Sequence, residues 1–446
     1  MEIIVAGAGH GGLAAAGLLA KAGHSVTVYE CKSEAEVGHD WTDICDPAAF
    51  LELGIDTTDA HWEQCEHMAF YCPNAAVGVD AFISEEMALQ PEMDRKYIAR
   101  KLLAFARENG AAVKFEAAVT APLYNDRAVT GVRVRYKNNR TYDKTAALVI
   151  DAAGMESPVR RNLPPQFGIK RIFGASQHFN VYRAFYAESG ETPTSAYPFS
   201  VYFYPGCLRG IAWVNRSRGI VDFLLGTFEG NGPEAVECAI DSLAARHPEL
   251  SGRIVRGGQF ATIPVRRVLP KFVEDGYAAV GDSAAMTIPI NGAGITNSLR
   301  AGRFLAEQVL SVYPDGKAPA PVPVPVEVLW NYQVRYFTEI GARQASLDVF
   351  KSFLLSSRPA DLDAMFADGI FTPEAMVPVR TGDEIDFTVP EMVATGIKGA
   401  RHPLLLMKVT NVLARSKMLK AIALRIPKTY DAERIGQWMK DYAVFR

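Results

Sequence analysis

The chain has 446 residues, 49% of them hydrophobic and 22% charged, with a formal net charge of −3. Those proportions supply a buried core for two or three domains and exclude disorder, collagen-like repeats and coiled coil as the main theme. The balanced charge leaves no footprint for nucleic acid. No apolar run reaches the roughly 18 residues of a membrane span. The first residues carry no basic segment of a secretory signal, and six scattered cysteines without a CxxC pair predict reduced thiols in a cytoplasmic chain.

In chain order, Glu2 to Ala6 reads as a strand, Leu13 to Ala22 as an Ala- and Leu-rich helix, and Ser25 to Tyr29 as a second, parallel strand. Between them lies Gly7-Ala8-Gly9-His10-Gly11-Gly12, which places Gly7, Gly9 and Gly12 at the GxGxxG positions. The first glycine makes the tight turn, the second admits a pyrophosphate to the backbone, and the third lets helix and strand pack closely. The helix N-terminus beyond them offers free N–H groups and about half a positive charge to phosphates. Glu30 closes the second strand, where an acid binds ribose hydroxyls. Strand, turn, helix, strand and acid together predict dinucleotide binding; the spacing alone does not separate FAD from NAD.

Residues 31 to 93 read as long loops with short elements, and Asp94 to Asn109 as a helix stopped by Gly110. Three or four β-like runs follow between Ala112 and Asp151. From about Arg183 to Glu229 the pattern becomes an antiparallel sheet, with runs at 199–204, 210–215 and 220–228, of the kind that walls a ligand site. Pro233 to His247 reads as a helix, Tyr277 to Val280 as a buried strand and Gly292 to Val312 as a helix. A proline-rich connector spans 316–326, and mainly helical sequence follows.

Two later motifs separate the cofactors. The stretch 151–161, with Asp151, Gly154, Ser157 and Arg160, resembles the central motif of the two-domain FAD-dependent oxidoreductases that include the aromatic hydroxylases. The stretch 277–302 resembles that family's third fingerprint. The resemblance implies FAD, with Asp282 on its ribityl chain. It also implies Pro289 and Gly292-Ala293-Gly294 passing the flavin ring, and a helix N-terminus at Ile295 facing the pyrimidine side. Arg95 matches a family position near the cofactor.

Within the family, Ala285 stands where aromatic hydroxylases carry histidine. Asn291 to Ile295 and Arg300 to Gly302 look like the geranylgeranyl reductase branch, as does 329–341. That resemblance covers roughly residues 1–375 and implies reduction of carbon–carbon double bonds in an apolar, isoprenoid or prenyl-lipid substrate. An external donor, NAD(P)H or a ferredoxin-like carrier, would reduce the flavin. The branch has a cysteine near the flavin, and Cys45 falls at about that place, with Asp46 beside it. Together they are candidate proton donors, the alternative being a buried structural thiol. The flanking Asp46-Pro47 departs from the branch's Gly-Glu-Gly pattern. In the substrate sheet only Trp213 survives of the branch's YxWxFP signature. Trp213, Tyr202 and Tyr204 are candidate substrate-wall residues, the alternative being plain sheet core.

Rival readings are a flavin monooxygenase of aromatic or apolar small molecules, a non-catalytic prenyl-binding protein on the same fold, and a reductase of a small conjugated substrate. No metal-ligand spacing stands out among the eight histidines.

Lys398, Arg401, Lys408, Arg415, Lys417, Lys420, Arg425 and Lys428 lie in a stretch, Met392 to Tyr430, without Asp or Glu. Pro403 to Pro427 reads as a helix there. It either lies on an anionic membrane, making the protein peripheral on the inner face, or packs on the protein with a solvated basic edge. The expected fold is α/β: a Rossmann-like FAD-binding domain of residues 1–165 and 258–315 with an inserted antiparallel-sheet substrate domain, 166–257. The linker 316–326 then leads to a helical C-terminal region, 327–446.

Overall fold

The computed structural model describes residues 1–60, 65–83, 92–188, 197–230, 232–315, 323–385 and 402–444. Six strands form the first sheet. Glu2–Ala6 lies at its centre, in parallel register with Ser25–Tyr29 on one side and Leu148–Asp151 on the other. The central strands are buried on both faces, so they read as continuous apolar runs rather than alternating ones. His10–Lys21 crosses between the first two strands and packs against Arg95–Glu108 and Ile295–Val312. Arg95–Glu108 starts where predicted. The Asp94 side chain accepts a hydrogen bond from the Tyr97 N–H at 3.0 Å as its N-terminal cap, and Gly110 follows with φ of +100°.

The second large sheet has seven strands and forms the substrate layer. Its centre is the antiparallel set His178–Ala187, Ile220–Thr227, Gly210–Ser217 and Phe199–Phe203. Its edges correct the expected domain limits. Met68–Tyr71 pairs parallel with Phe199–Phe203, Gly78–Asp80 extends it, and Ile254–Pro264 closes the other edge. Residues 68–80 and 258–264 therefore belong to the substrate sheet, although the sequence places them in the FAD domain.

Both faces of this sheet are covered. Pro233–Leu243 packs on one, among Tyr202, Val214, Phe223 and Leu225. The C-terminal helices cover the other, with Leu354, Phe366, Met376 and Leu405 joining Phe199, Val201 and Phe203 in one core. Among its described residues the C-terminal region is mainly helical. A π-helical turn, Phe337–Gly341, joins Val326–Tyr336 to Ala342–Ser356, so one long rod runs from the FAD domain to the substrate layer. Helix Pro403–Leu424 lies along that rod. Lys398, Arg401 and residues 316–322 of the proline-rich segment lie outside the described residues.

Candidate active site

The glycine turn is built as the sequence demands. Gly7 has φ of +89°, and a Cβ there would stand 2.7 Å from the Ala152 carbonyl oxygen. A Cβ on Gly12 would lie 2.5 Å from the Ala152 Cβ and 2.9 Å from Val5 Cγ1, so only glycine lets helix and strand meet. Glu30 holds the turn from the side: its carboxylate accepts the Ala8 N–H at 2.8 Å and the Lys32 N–H at 2.9 Å.

Beyond the turn opens a cavity of about 100 Å³, lined by Gly9, His10, Gly11, Gly154, Asp282, Thr287, Gly292, Gly294 and Ile295 among others. Two helices, His10–Lys21 and Ile295–Val312, aim their N-termini into it, and neither has a side-chain cap. Uncapped helix starts present unsatisfied N–H groups and partial positive charge to an anionic ligand. Burial raises the Asp282 carboxyl above its ordinary value even though Thr287 Oγ1 donates to it at 2.6 Å. Burial, then Arg95 and His39, lowers His10 to about 3, so its imidazole is neutral at pH 7.

A second, somewhat larger cavity of about 130 Å³ lies between the seven-stranded sheet and the C-terminal helices. Its walls are apolar: Phe70, Phe179, Phe199, Val201, Phe203, Trp213, Ile290 and Leu354 are among them. Asp43, Arg95, Ile263 and Gly292 line both cavities, so the two meet there. At that junction Arg95 Nε stands 3.1 Å from Asp43 Oδ2 and the guanidinium lies 5.7 Å from the Trp41 ring centre.

One end of the apolar cavity is charged. Arg183, only 3% exposed, donates to both Asp222 oxygens at 2.9 and 2.5 Å, to Glu92 at 3.0 Å and to the Thr42 carbonyl at 2.6 Å. Burial works against its charge, yet Asp222, then Glu92 and Asp43, hold the guanidinium above its ordinary value. Trp213 donates its indole N–H to Asp222 at 3.3 Å, which pins the ring against the wall.

The predicted residues divide accordingly. Gly9, Arg95, Gly154, Asp282, Gly292, Gly294 and Ile295 line the smaller cavity, and Ala293 and Trp213 line the larger. Gly7, Gly12 and Glu30 shape the turn behind it. Asp151 is fully buried and ties the central motif to the third one, accepting from Ser157 at 2.5 Å, Tyr277 at 2.9 Å and Ser283 at 3.0 Å. Arg160 is likewise buried and donates to the Arg171 carbonyl at 2.6 Å. Pro289 lines neither cavity.

Four candidates line neither cavity. Cys45 points into the FAD-domain core, with its thiol 3.1 Å from Met93 Sδ. Burial, then Asp43 and Asp46, pushes that thiol well above its usual value. Asp46 turns away as well, pairing with Arg300 at 2.7 Å and accepting the Ala48 N–H at 2.9 Å. Tyr202 faces the opposite side of the sheet, where its hydroxyl meets His247 Nε2 at 2.7 Å. Tyr204 donates to the Ser357 carbonyl at 2.8 Å and lines neither cavity. Sequence reasoning missed Asp43, Glu92, Arg183 and Asp222. A lone arginine in HFNVYRAFYA and a lone aspartate in IVDFLLGT were the available signal, because a charge inside a buried strand requires a partner.

A cavity beyond the glycine turn, headed by two bare helix starts and opening onto an apolar chamber, has residues that fit FAD, and the fold and site are those of a flavin-dependent oxidoreductase. The chain belongs to the FAD binding domain family, whose sequence profile matches residues 1–320. It is 23% identical over 455 aligned residues to a digeranylgeranylglycerophospholipid reductase of Sulfolobus acidocaldarius, covering 99% of this chain and 96% of that one. A digeranylgeranylglycerophospholipid reductase of Methanococcoides burtonii is 26% identical, over 82% and 86% of the two chains. Among solved structures, a geranylgeranyl bacteriochlorophyll reductase-like protein of Thermoplasma acidophilum superposes with a TM-score of 0.71 at 18% identity, covering 92% of this chain and 98% of that one. The fold and the cofactor expected from the fingerprints stand. Among the described residues no helix is long and apolar enough to cross a membrane.

Proposed function

We propose that the protein reduces carbon–carbon double bonds in the isoprenoid chain of a prenyl-lipid substrate, with FAD reduced by an external donor, NAD(P)H or a ferredoxin-like carrier. The observation that carries this reading is the apolar cavity opening onto the cofactor cavity at Asp43, Arg95, Ile263 and Gly292. The reductases named above, similar along nearly all of the chain, support it. Bound FAD in its reduced form would supply a hydride to one carbon of such a bond, and the other carbon would take up a proton that comes from the medium.

The chain's own residues account for the rest. The bare starts of His10–Lys21 and Ile295–Val312 hold negative charge on the cofactor. Phe199, Val201, Phe203 and Ile290 exclude water and give a flexible hydrocarbon chain a surface complementary to it. Arg183, bound to Asp222 and Glu92, fixes Trp213 and so the shape of that wall. Asp43 and Arg95 are the charged groups that line both cavities.

The test uses purified holoprotein, chemically reduced under anaerobic conditions, with flavin reoxidation followed by absorbance after geranylgeranyl lipid is added. The expected result is reoxidation by the lipid and a product two mass units heavier for each bond reduced. No reoxidation by lipid, with an oxygenated product once oxygen and an aromatic are supplied, would replace this reading with a monooxygenase.

A further inference from the structure

Helix Pro403–Leu424 buries one face, formed by Leu405, Val409, Val412, Leu419 and Ala423, against the rod formed by Ala342–Ser356. Ser416 Oγ donates to the Ser346 carbonyl at 3.1 Å in that contact. A surface helix with one such face ordinarily turns a charged face to solvent. Here the outer face carries its own apolar stripe. Leu404, Met407, Ala414 and Met418 fall on one line, because their spacings are sums of three- and four-residue steps. Leu404 is 70% exposed, Met407 63% and Met418 55%.

The charges beside the stripe have one sign. Lys408, Arg415, Lys417, Arg425 and Lys428 are all exposed, and the sequence from His402 to Tyr430 contains no Asp or Glu. Two acids of neighbouring elements pair with it: Asp361 meets Lys408 at 3.0 Å, and Glu384 pairs with Lys420 on the half-buried side. Exposed apolar side chains rimmed by lysine and arginine match a bilayer with anionic headgroups, which accepts the first in its acyl boundary and the second among its phosphates. A second copy of this chain is the poorer occupant, since two such faces would set cations against cations. The rod on which the helix lies contributes Lys351, Leu354 and Leu355 to the apolar cavity, so a bilayer held there is one helix away from that chamber.

We propose that the outer face of Pro403–Leu424 docks the protein on an anionic lipid bilayer. The test is co-sedimentation of the FAD-loaded protein with phosphatidylglycerol vesicles, against phosphatidylcholine vesicles as the neutral comparison. The natural protein is expected to pellet with the anionic vesicles. Salt at about 1 M, where the screening length falls from about 10 Å to about 3 Å, should release much of it. The variant Met407→Glu/Met418→Glu puts two acids on the exposed stripe without touching the packed face. It should bind the vesicles at least about tenfold more weakly while keeping its flavin content and its sedimentation as free protein.

Failure of the natural protein to pellet overturns the proposal, and so does a double variant that pellets equally well. A self-associated natural protein that the double variant dissociates, with vesicle binding unchanged, would make this face a contact between copies instead. The vesicles contain no prenyl substrate and no turnover is read, so failure here leaves the proposed reduction intact, and the flavin reoxidation test fails or succeeds separately.

Discussion

Replacing Arg183 with methionine tests whether the charged end of the cavity is a closed ion network. The side chain is almost wholly buried and makes hydrogen bonds to Asp222, Glu92 and Thr42 at 2.5 to 3.0 Å. Methionine keeps much of the apolar stem and removes the charge. Asp222 then retains the Trp213 indole N–H at 3.3 Å, and Glu92 retains Thr42 and Asn215. Breaking a buried pair from one side costs about 3–5 kcal/mol, because the remaining carboxylate is left uncompensated. With two carboxylates deserted, the upper end of that range applies at pH 7.

Urea titrations at pH 7 followed by circular dichroism and tryptophan fluorescence read this loss. The double variant Arg183→Met/Asp222→Leu should recover part of it, because it removes one stranded charge. A single variant as stable as the natural protein at pH 7 would refute the network.

Gly12→Val places side-chain atoms inside the 2.5 Å gap to Ala152, and purified protein should lose most of its bound FAD, read as the flavin-to-protein ratio. Cys45→Ala should leave lipid-dependent flavin reoxidation within about twofold, since the thiol faces Met93 and is held protonated. Asp43→Ala, at the junction of the cavities, should slow reoxidation by about tenfold or more, up to the roughly hundredfold at which the contribution of a positioned acid or base begins. His39 is lowered to about 4 by burial and then Arg95. The unfolded chain takes up that proton below about pH 6.5 while the folded chain does not, so stability falls as pH drops from 6.5 to 4. His39→Gln should flatten that fall by up to about 1.4 kcal/mol per pH unit in acid unfolding curves.

The cofactor half of the site was legible because its chemistry is written in backbone. Gly7 and Gly12 are dictated by a left-handed turn and a 2.5 Å approach, constraints that no other residue meets, so they declare themselves without a structure. The substrate half was not, and the seven-stranded sheet explains why. Alternation along FSVYF puts Phe199, Val201 and Phe203 on one face and Tyr202 on the other. Both faces are covered by helices, so polarity does not mark which one borders the cavity.

Cys45 was harder still. The strand before it, Thr42–Ile44, is only three residues long and the chain bends at Pro47, too little run for period-two reasoning to aim a side chain. What a short strand conceals, a misplaced charge reveals. Arg183 and Asp222 each break an otherwise apolar strand that folds inward, and the cost of burying an unpaired charge means that such residues must find one another. In this chain Arg183 and Asp222 do so at one end of the apolar cavity, while Asp43 meets Arg95 where that cavity joins the cofactor's.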